Sequence, residues 1–175
     1  KKGVPHDDQY NFKNVAALNT TYFANFGAEL AVVSMLPMFF ETTWGLSATA
    51  AGLLGSTFAF VNLFARPLGG ILSDRLGNRK KVMLFYMAGI TVGVGLMGLM
   101  NGSWPIFLAV ILTILTSVFV QGAEGSTFAI IPMIKKRITG QIAGMAGAYG
   151  NVGSVMYLLI LSFVSPNIFF FILSA

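Results

Sequence analysis

Residues 66 to 81 read Arg66-Pro67-Leu68-Gly69-Gly70-Ile71-Leu72-Ser73-Asp74-Arg75-Leu76-Gly77-Asn78-Arg79-Lys80-Lys81, and they follow an almost unbroken apolar segment that starts at Leu46. An arginine inside a bilayer span costs about 2.5 to 3.5 kcal/mol on insertion scales, so it requires a compensating anion, cavity or partner. Pro67 removes one backbone hydrogen bond, and the glycine pair that follows permits bending or close packing. The run therefore predicts a membrane protein in which Arg66 belongs to a cavity wall.

The composition independently indicates a membrane protein. Hydrophobic residues make up 55% of the chain, charged residues make up 10%, and the mean hydropathy is +0.76. A spanning helix needs about 20 apolar residues. Five segments are long enough, namely 14–41, 48–73, 80–100, 104–132 and 140–165. A sixth segment, 167–175, is too short to cross, so we expect an all-α integral membrane fragment with its transmembrane region at 14–175.

Basic residues alternate between the predicted connections. Ten of the eleven Lys and Arg residues lie outside the spans, in the N-terminal segment and in the connections after the second and fourth spans. They are Lys1, Lys2, Lys13, Arg75, Arg79, Lys80, Lys81, Lys135, Lys136 and Arg137. The positive-inside rule then predicts that residues 1–13 form a cytoplasmic linker and that both basic connections are cytoplasmic. The net charge of +5 follows from this topology, and we expect no nucleic-acid partner.

The residue inventory also excludes several kinds of chemistry. The chain has no cysteine and a single histidine, His6. Disulfides and thiol chemistry are therefore absent, and a histidine-ligated metal site is not expected. We predict neither an enzyme nor a bound cofactor or metal. The first residues also lack the basic-then-apolar order of a signal peptide.

Three ionisable residues lie inside the predicted spans: Glu29, Arg66 and Glu124. Each is a functional candidate by default. Arg66 could instead snorkel to the cytoplasmic surface, because Asp74 is only about two helical turns away, a rise of roughly 12 Å. The glutamates could be neutral carboxyls bonded to a neighbouring helix, or one of them could exchange a proton or pair with Arg66. The sequence leaves these roles open.

The first span carries aromatic and polar residues on one helix face. Tyr22, Asn25, Phe26 and Glu29 follow the i, i+3, i+4, i+7 spacing of an α-helix. Lipid would reject the amide and the carboxyl, so this face is predicted to point into the protein. Ordinary packing through the rings, with Asn25 bonded across helices, is the alternative.

The fifth span is rich in glycine. One face repeats glycine every third residue at Gly144, Gly147, Gly150 and Gly153. Such spacing permits close approach of a neighbouring helix, and tight packing alone would explain it. Packing does not require Asn151, whose amide could donate to a bound oxyanion while Gly150 leaves the backbone accessible to a small ligand.

These residues resemble a known family. The run Gly-Gly-x-x-x-Asp-Arg-x-Gly-x-Arg-Lys at 69–80 is similar to the cytoplasmic loop motif of the major facilitator superfamily. The run Gly147-Ala148-Tyr149-Gly150-Asn151-Val152-Gly153 resembles the second nitrate signature of the nitrate/nitrite porters. The segments 22–29 and 64–66 extend the similarity. The resemblance implies the C-terminal half of a twelve-helix carrier, with a partial sixth helix.

The resemblance also implies roles for individual residues. An arginine from each half would grip nitrate or nitrite, with aromatic rings around the flat anion. The implied binding residues are Arg66, Tyr22, Phe26, Asn151, Asn25 and Gly150. The implied gating motif comprises Gly70, Asp74, Arg75, Gly77, Arg79 and Lys80. Asp74 would cap a neighbouring helix N-terminus, while the cationic residues would hold the inward gate.

Glu29 and Glu124 are the candidates for proton coupling, and the family implies either proton-coupled uptake or nitrate/nitrite exchange. Glu29 favours the proton-coupled branch. The implied partners are the anion, protons, the lipid bilayer and the missing N-terminal half, in the plasma or inner membrane. A carrier for another small anion or solute, or a non-transporting membrane scaffold with five spans, are the alternatives.

Overall fold

The computed structural model describes residues 9–175, and within that range all regular secondary structure is helical. The helices are α1 Phe12–Trp44, α2 Ala48–Phe60, α3 Asn62–Leu76, α4 Arg79–Gly98, α5 Ile106–Ile134, α6 Thr139–Leu161 and α7 Pro166–Ser174, with a 3-10 turn at Lys136–Ile138 before α6. Five segments of the described chain are long and apolar enough to cross a membrane, with α2 and α3 forming one of them. The predicted all-α membrane fold with five full spans is therefore confirmed.

Local capping chemistry sets the ends of the first span. The Asn11 side chain accepts a hydrogen bond of 3.0 Å from the backbone N–H of Lys13 and so starts α1. Gly45 ends it with a left-handed φ of 65°, which glycine adopts without a steric penalty. The helix is consequently longer at both ends than the predicted span 14–41. Of the predicted linker 1–13, residues 1–8 lie outside the described range.

The second span is divided into two helices, although the sequence predicts one continuous helix at 48–73. The division falls at Val61, but its N–H still donates to the Thr57 carbonyl at 3.2 Å, and its own carbonyl accepts from Ala65 at 2.9 Å. The Thr57 hydroxyl donates to the Leu54 carbonyl at 2.6 Å, a side-chain bond that competes with the helical ladder. The span thus continues through Val61 as two helical segments, with Arg66 in the second.

Other boundaries differ from prediction by a few residues. The fourth span starts at Ile106 rather than 104, because Pro105 takes the capping position, where its missing N–H costs nothing. The fifth starts at Thr139 after the 3-10 turn and ends at Leu161 rather than 165, since the chain turns there before Pro166 opens α7. The third span, predicted at 80–100, is α4.

Helix α5 occupies the centre, in contact with α1, α2, α3, α4 and α6. Helix α1 packs mainly on α6 and α2, whereas α7 packs on α4. Glycines set the closest approaches. A Cβ atom at Gly69 would collide with the Gly122 backbone, and a Cβ atom at Gly27 would lie 2.7 Å from the carbonyl carbon of Gly153. Small residues therefore bring α3 onto α5 and α1 onto α6.

Polarity is distributed as expected for a protein in lipid. Large apolar side chains such as Leu53, Leu84 and Phe163 are exposed, while α5 buries a row of polar groups. These buried groups are Thr113, Thr116, Ser117, Gln121, Glu124, Ser126 and Thr127. Lipid rejects such groups, so they face protein, where they can be paired. The chain is an integral membrane protein whose polar interior is concentrated beside Arg66.

Candidate functional site

The Arg66 guanidinium, in the first half of α3, is the centre of an acidic and aromatic cluster. Its Nη2 contacts Oε2 of Glu124 directly and lies 3.8 Å from Oε2 of Glu29. The same nitrogen donates to the Tyr22 hydroxyl at 3.4 Å. The Arg66 side chain is 32% exposed, whereas the Glu29 and Glu124 side chains are 6% and 0% exposed. The cation is thus held against buried carboxyls inside the helix bundle, with part of its side chain exposed.

Backbone packing places this arginine against α5. A Cβ atom at Gly125 would collide with the Arg66 carbonyl oxygen, and one at Gly70 would lie 3.5 Å from the Gly125 carbonyl oxygen. Because Gly125 has no side chain, α3 can approach until the guanidinium reaches Glu124, the preceding residue. Removing one member of a buried ion pair typically costs about 3 to 5 kcal/mol, because the other charge is left uncompensated.

Gln121 also belongs to the cluster, although it is not among the predicted site residues. Its Nε2 donates to Oε1 of Glu29 at 2.5 Å, and the residue is fully buried. Gln121 lies three residues before Glu124, so both side chains share one face of α5. A buried amide at this spacing from an intramembrane carboxyl was the signal that could have identified it. The amide links α5 to α1 and holds one carboxylate oxygen of Glu29.

Two stacked rings stand beside the cation. The Tyr22 and Phe26 ring centroids are 5.0 Å apart, with an interplanar angle of 9°. The guanidinium carbon of Arg66 lies 5.9 Å from the Phe26 centroid, within cation–π range. Phe128 packs edge-on against Tyr22 at 5.1 Å and was not predicted. Gly150 is buried beneath the pair, where a Cβ atom would lie 2.7 Å from Phe26 and 2.9 Å from Tyr22.

The two predicted asparagines lie in different environments. Asn25 is buried and donates to the backbone carbonyl of Val120 at 3.3 Å, so its amide joins α1 to α5. Asn151 is exposed and donates to the Gly147 carbonyl of its own helix at 3.0 Å. Among the described residues, no hydrogen bond connects Asn151 with Arg66. The structure therefore brings Asn25 close to the acidic cluster and leaves Asn151 on the surface of α6.

The glycines predicted to pack helices also divide into two groups. A Cβ atom at Gly153 would collide with the Phe23 carbonyl oxygen, so Gly153 makes a close helix contact. A Cβ atom at Gly144 or Gly147 would have nothing within 4 Å in the described part of the chain. Only the contact at Gly153 is thus made within these helices.

The predicted gating motif ties three helices together at their ends. Arg79 donates to the Asp74 carboxylate at 2.7 Å and also to the Ala129 backbone carbonyl. Gly77 ends α3 with a left-handed φ of 63°. The Asn78 side chain caps α4 by accepting from the Lys81 N–H at 3.2 Å, and capping of a neighbouring helix by Asp74 stays a prediction.

The remaining motif residues lie around this bond. Gly70 faces the Gly125 backbone, whereas Arg75 and Lys80 are exposed. The described residues contain no cluster of three His, Cys, Asp or Glu side chains that could hold a metal ion.

The site therefore contains one fixed cation, two buried carboxyls, a buried amide and a flat aromatic surface. A guanidinium donates paired hydrogen bonds to planar oxyanions, which a lysine cannot do. The open side of Arg66 can accept such an anion, and the buried carboxyls provide groups that could bind or release protons.

Known proteins resemble this chain over most of its length. The family model of the Major Facilitator Superfamily matches residues 18–175. The nitrate/nitrite transporter NrtP of Picosynechococcus sp. is 55% identical over 161 residues, which cover 92% of this chain and 30% of that protein. NrtP of Nostoc punctiforme is 47% identical over 170 residues, which cover 97% of this chain and 34% of that protein. The high affinity nitrate transporter 2.5 of Arabidopsis thaliana is 36% identical over 139 residues, which cover 77% of this chain and 28% of that protein.

The chain spans about a third of the length of these curated relatives. All three are named as transporters, which agrees with the prediction of a carrier and not an enzyme. The matches confirm the resemblance predicted from the sequence.

Proposed function

Because this chain belongs to the Major Facilitator Superfamily, we propose that it forms part of a carrier that moves nitrate and nitrite across a membrane. The names of the similar proteins support this substrate. The observation that carries the proposal is the partly open guanidinium of Arg66 beside the stacked rings of Tyr22 and Phe26. The segment corresponds to the C-terminal half, and a second half supplies the rest of the site.

Anion recognition follows from the shapes of the two groups. Nitrate is planar, with its charge spread over three oxygens, and the guanidinium is a planar fork with fixed N–H directions. Phe26 and Tyr22 bound one side of the fork with apolar surface, which favours a flat and weakly hydrated anion. Asn25 and Gly150 position this wall through their packing. Asn151 is exposed on α6 and faces the second half in this proposal.

Transport in this proposal uses alternating access, in which the two halves rock about the shared anion site. The bonds of Arg79 to Asp74 and to the α5 backbone act as a cytoplasmic latch. The basic connections place the N-terminus of the segment in the cytoplasm by the positive-inside rule. The carrier resides in the plasma or inner membrane, with lipid against its exposed apolar faces.

Coupling to protons is favoured over nitrate/nitrite exchange by the two buried carboxyls at Glu29 and Glu124. A carrier that only exchanges anions has no evident need for acidic groups beside its binding cation. Exchange remains the second candidate for the coupling mode. A carrier for another small anion would fit the loop motif equally, but not the names of the similar proteins.

The test is nitrate uptake into vesicles that contain the complete carrier, with Arg66→Lys beside the wild type. Lysine keeps the charge and loses the fork, so we expect uptake to fall at least tenfold. Arg137→Lys, in the 3-10 turn before α6, makes the same exchange away from the cluster and should transport normally. An imposed pH gradient should drive accumulation in the wild type. Normal uptake by Arg66→Lys would show that Arg66 has a structural role only.

A further inference from the structure

Three oxygen atoms compete for one nitrogen of Arg66. Glu124 Oε2 contacts Nη2, the Tyr22 hydroxyl lies at 3.4 Å, and Glu29 Oε2 lies at 3.8 Å. Nη2 carries only two hydrogens. The Arg66 Nε, in contrast, is buried and has no hydrogen-bond partner in the described part of the chain. The guanidinium is therefore crowded at one nitrogen and unsatisfied at another.

The geometry of a guanidinium makes this crowding important for anion binding. Arginine presents two edges that can donate paired bonds, one formed by Nε and Nη2 and the other by Nη1 and Nη2. Both edges include Nη2. Each edge uses a different hydrogen of Nη2, and Glu124 and the Tyr22 hydroxyl together engage this nitrogen. An anion that takes a paired bond from either edge therefore competes with one of these two partners, and Glu124 is the acidic one.

Displacing Glu124 from Arg66 affects the protonation of Glu124, because its side chain has no access to solvent. Its side chain is 0% exposed, and among residues 9–175 neither carboxylate oxygen has a hydrogen-bond partner apart from the contact with Arg66. A carboxylate that loses its cation in such a place is strongly disfavoured as an ion. Adding a proton removes the charge and creates a donor that can bond to the arriving anion.

We infer that Glu124 is the counter-ion of Arg66 in the anion-free carrier and takes up one proton when the anion displaces it. In the step, the Arg66–Glu124 ion pair, one anion and one proton become an Arg66–anion pair and a neutral Glu124. Atoms and charge balance, and the net charge of Arg66 with its anionic partner is zero before and after the step. The inference rests on the proposed function, because it assigns the coupling of that anion site to one residue.

The other titratable groups around Glu124 are less suited to this role. Glu29 and Tyr22 face it from α1, and Tyr86 of α4 packs against Gly122, two residues away on α5. Glu29 accepts a bond from the Gln121 amide and lies farther from Nη2 than Glu124 does. Helix α6 presents no acidic or basic side chain to the cluster within the described residues.

The experiment measures nitrate affinity of the purified complete carrier over a series of pH values. Uptake of one proton with each anion makes wild-type affinity fall about tenfold per pH unit as pH rises. Glu124→Gln removes the competitor and the proton acceptor together. We expect it to bind nitrate independently of pH, and at high pH more tightly than the wild type. Glu41→Gln, at an exposed carboxyl near the end of α1, makes the same exchange away from the cluster and should keep the wild-type dependence.

A second measurement needs no variant and covers the case in which Glu124→Gln fails to fold. Nitrate added to weakly buffered wild-type carrier should remove about one proton from solution per bound anion. No proton uptake, or a Glu124→Gln carrier with the wild-type pH dependence, would overturn the inference while nitrate binding itself persisted. A wild-type carrier that binds no nitrate at any pH would instead overturn the proposed function.

Discussion

Replacing Gly150 by alanine tests whether the aromatic pair beside Arg66 must stay where the structure places it. The new Cβ atom would lie 2.7 Å from Cδ1 of Phe26 and 2.9 Å from Cδ1 of Tyr22. Carbon–carbon contacts are ordinarily at least about 3.5 Å, so the Phe26 ring must retreat by about 0.8 Å. The ring cannot move this far without changing its position over the guanidinium.

The expected size of the Gly150→Ala effect follows from two contributions to stability and one to anion binding. Overpacking costs about 1 to 3 kcal/mol, and alanine in a helix recovers about 1 kcal/mol relative to glycine. Stability should therefore fall by about 0 to 2 kcal/mol. Loss of the cation–π contact between Phe26 and Arg66, worth about 0.5 to 2 kcal/mol, should raise the KM for nitrate by about two- to thirtyfold.

The assay compares nitrate uptake and thermal unfolding of the complete carrier carrying Gly150→Ala with those of Gly140→Ala. Both substitutions lie on α6, but a Cβ atom at Gly140 meets nothing within 4 Å among the described residues. Gly140→Ala should keep the wild-type KM. If Gly150→Ala also keeps it at equal membrane content, the rings do not contribute to anion binding and the reasoning fails.

Two further predictions concern hydrogen bonds outside the anion contact. Arg79→Ala removes the donor to Asp74 and to the α5 backbone, and a charge-assisted bond worth about 1.5 kcal/mol corresponds to a tenfold change in equilibrium. Distances between spin labels on the two cytoplasmic loops should therefore shift toward the inward-open form, and an unchanged distribution would contradict the latch. Gln121→Met leaves an oxygen of buried Glu29 without its donor and should destabilise the carrier by about 1 to 3 kcal/mol. Thermal unfolding in detergent measures this, and an unaltered midpoint would show that Glu29 finds another partner.

The spans could be predicted because hydrophobicity and basic residues are local signals. The division between α2 and α3 at Val61 could not, since the hydroxyl bonds to the helix backbone near it compete only weakly with regular structure. The start of the fourth span differs from the predicted start because Pro105 occupies the N-cap position.

The candidate site shows the same distinction between local and tertiary information. Helical spacing predicts that Tyr22, Phe26 and Glu29 share a face, and the structure has all three beside Arg66. The sequence did not predict Gln121 and Phe128, because their places beside Arg66 depend on the rotation of α5 against α1 and not on a motif. The direction of the Asn151 amide could not be predicted either, since the Gly147 carbonyl one turn away on the same helix competes for its N–H.

The hydrogen bonds of Asn25 and Gln121 also affect which helices can move. Both join α1 to α5, at 3.3 Å to the Val120 carbonyl and at 2.5 Å to Glu29. Between α1 and α6, the described residues show close glycine contacts and no side-chain hydrogen bond. A shear of α6 along α1 would break no polar bond, whereas sliding α5 would break two. Polar bonds therefore join α1 to α5 around Arg66, whereas close packing alone holds α6 against α1 in the described part of the chain.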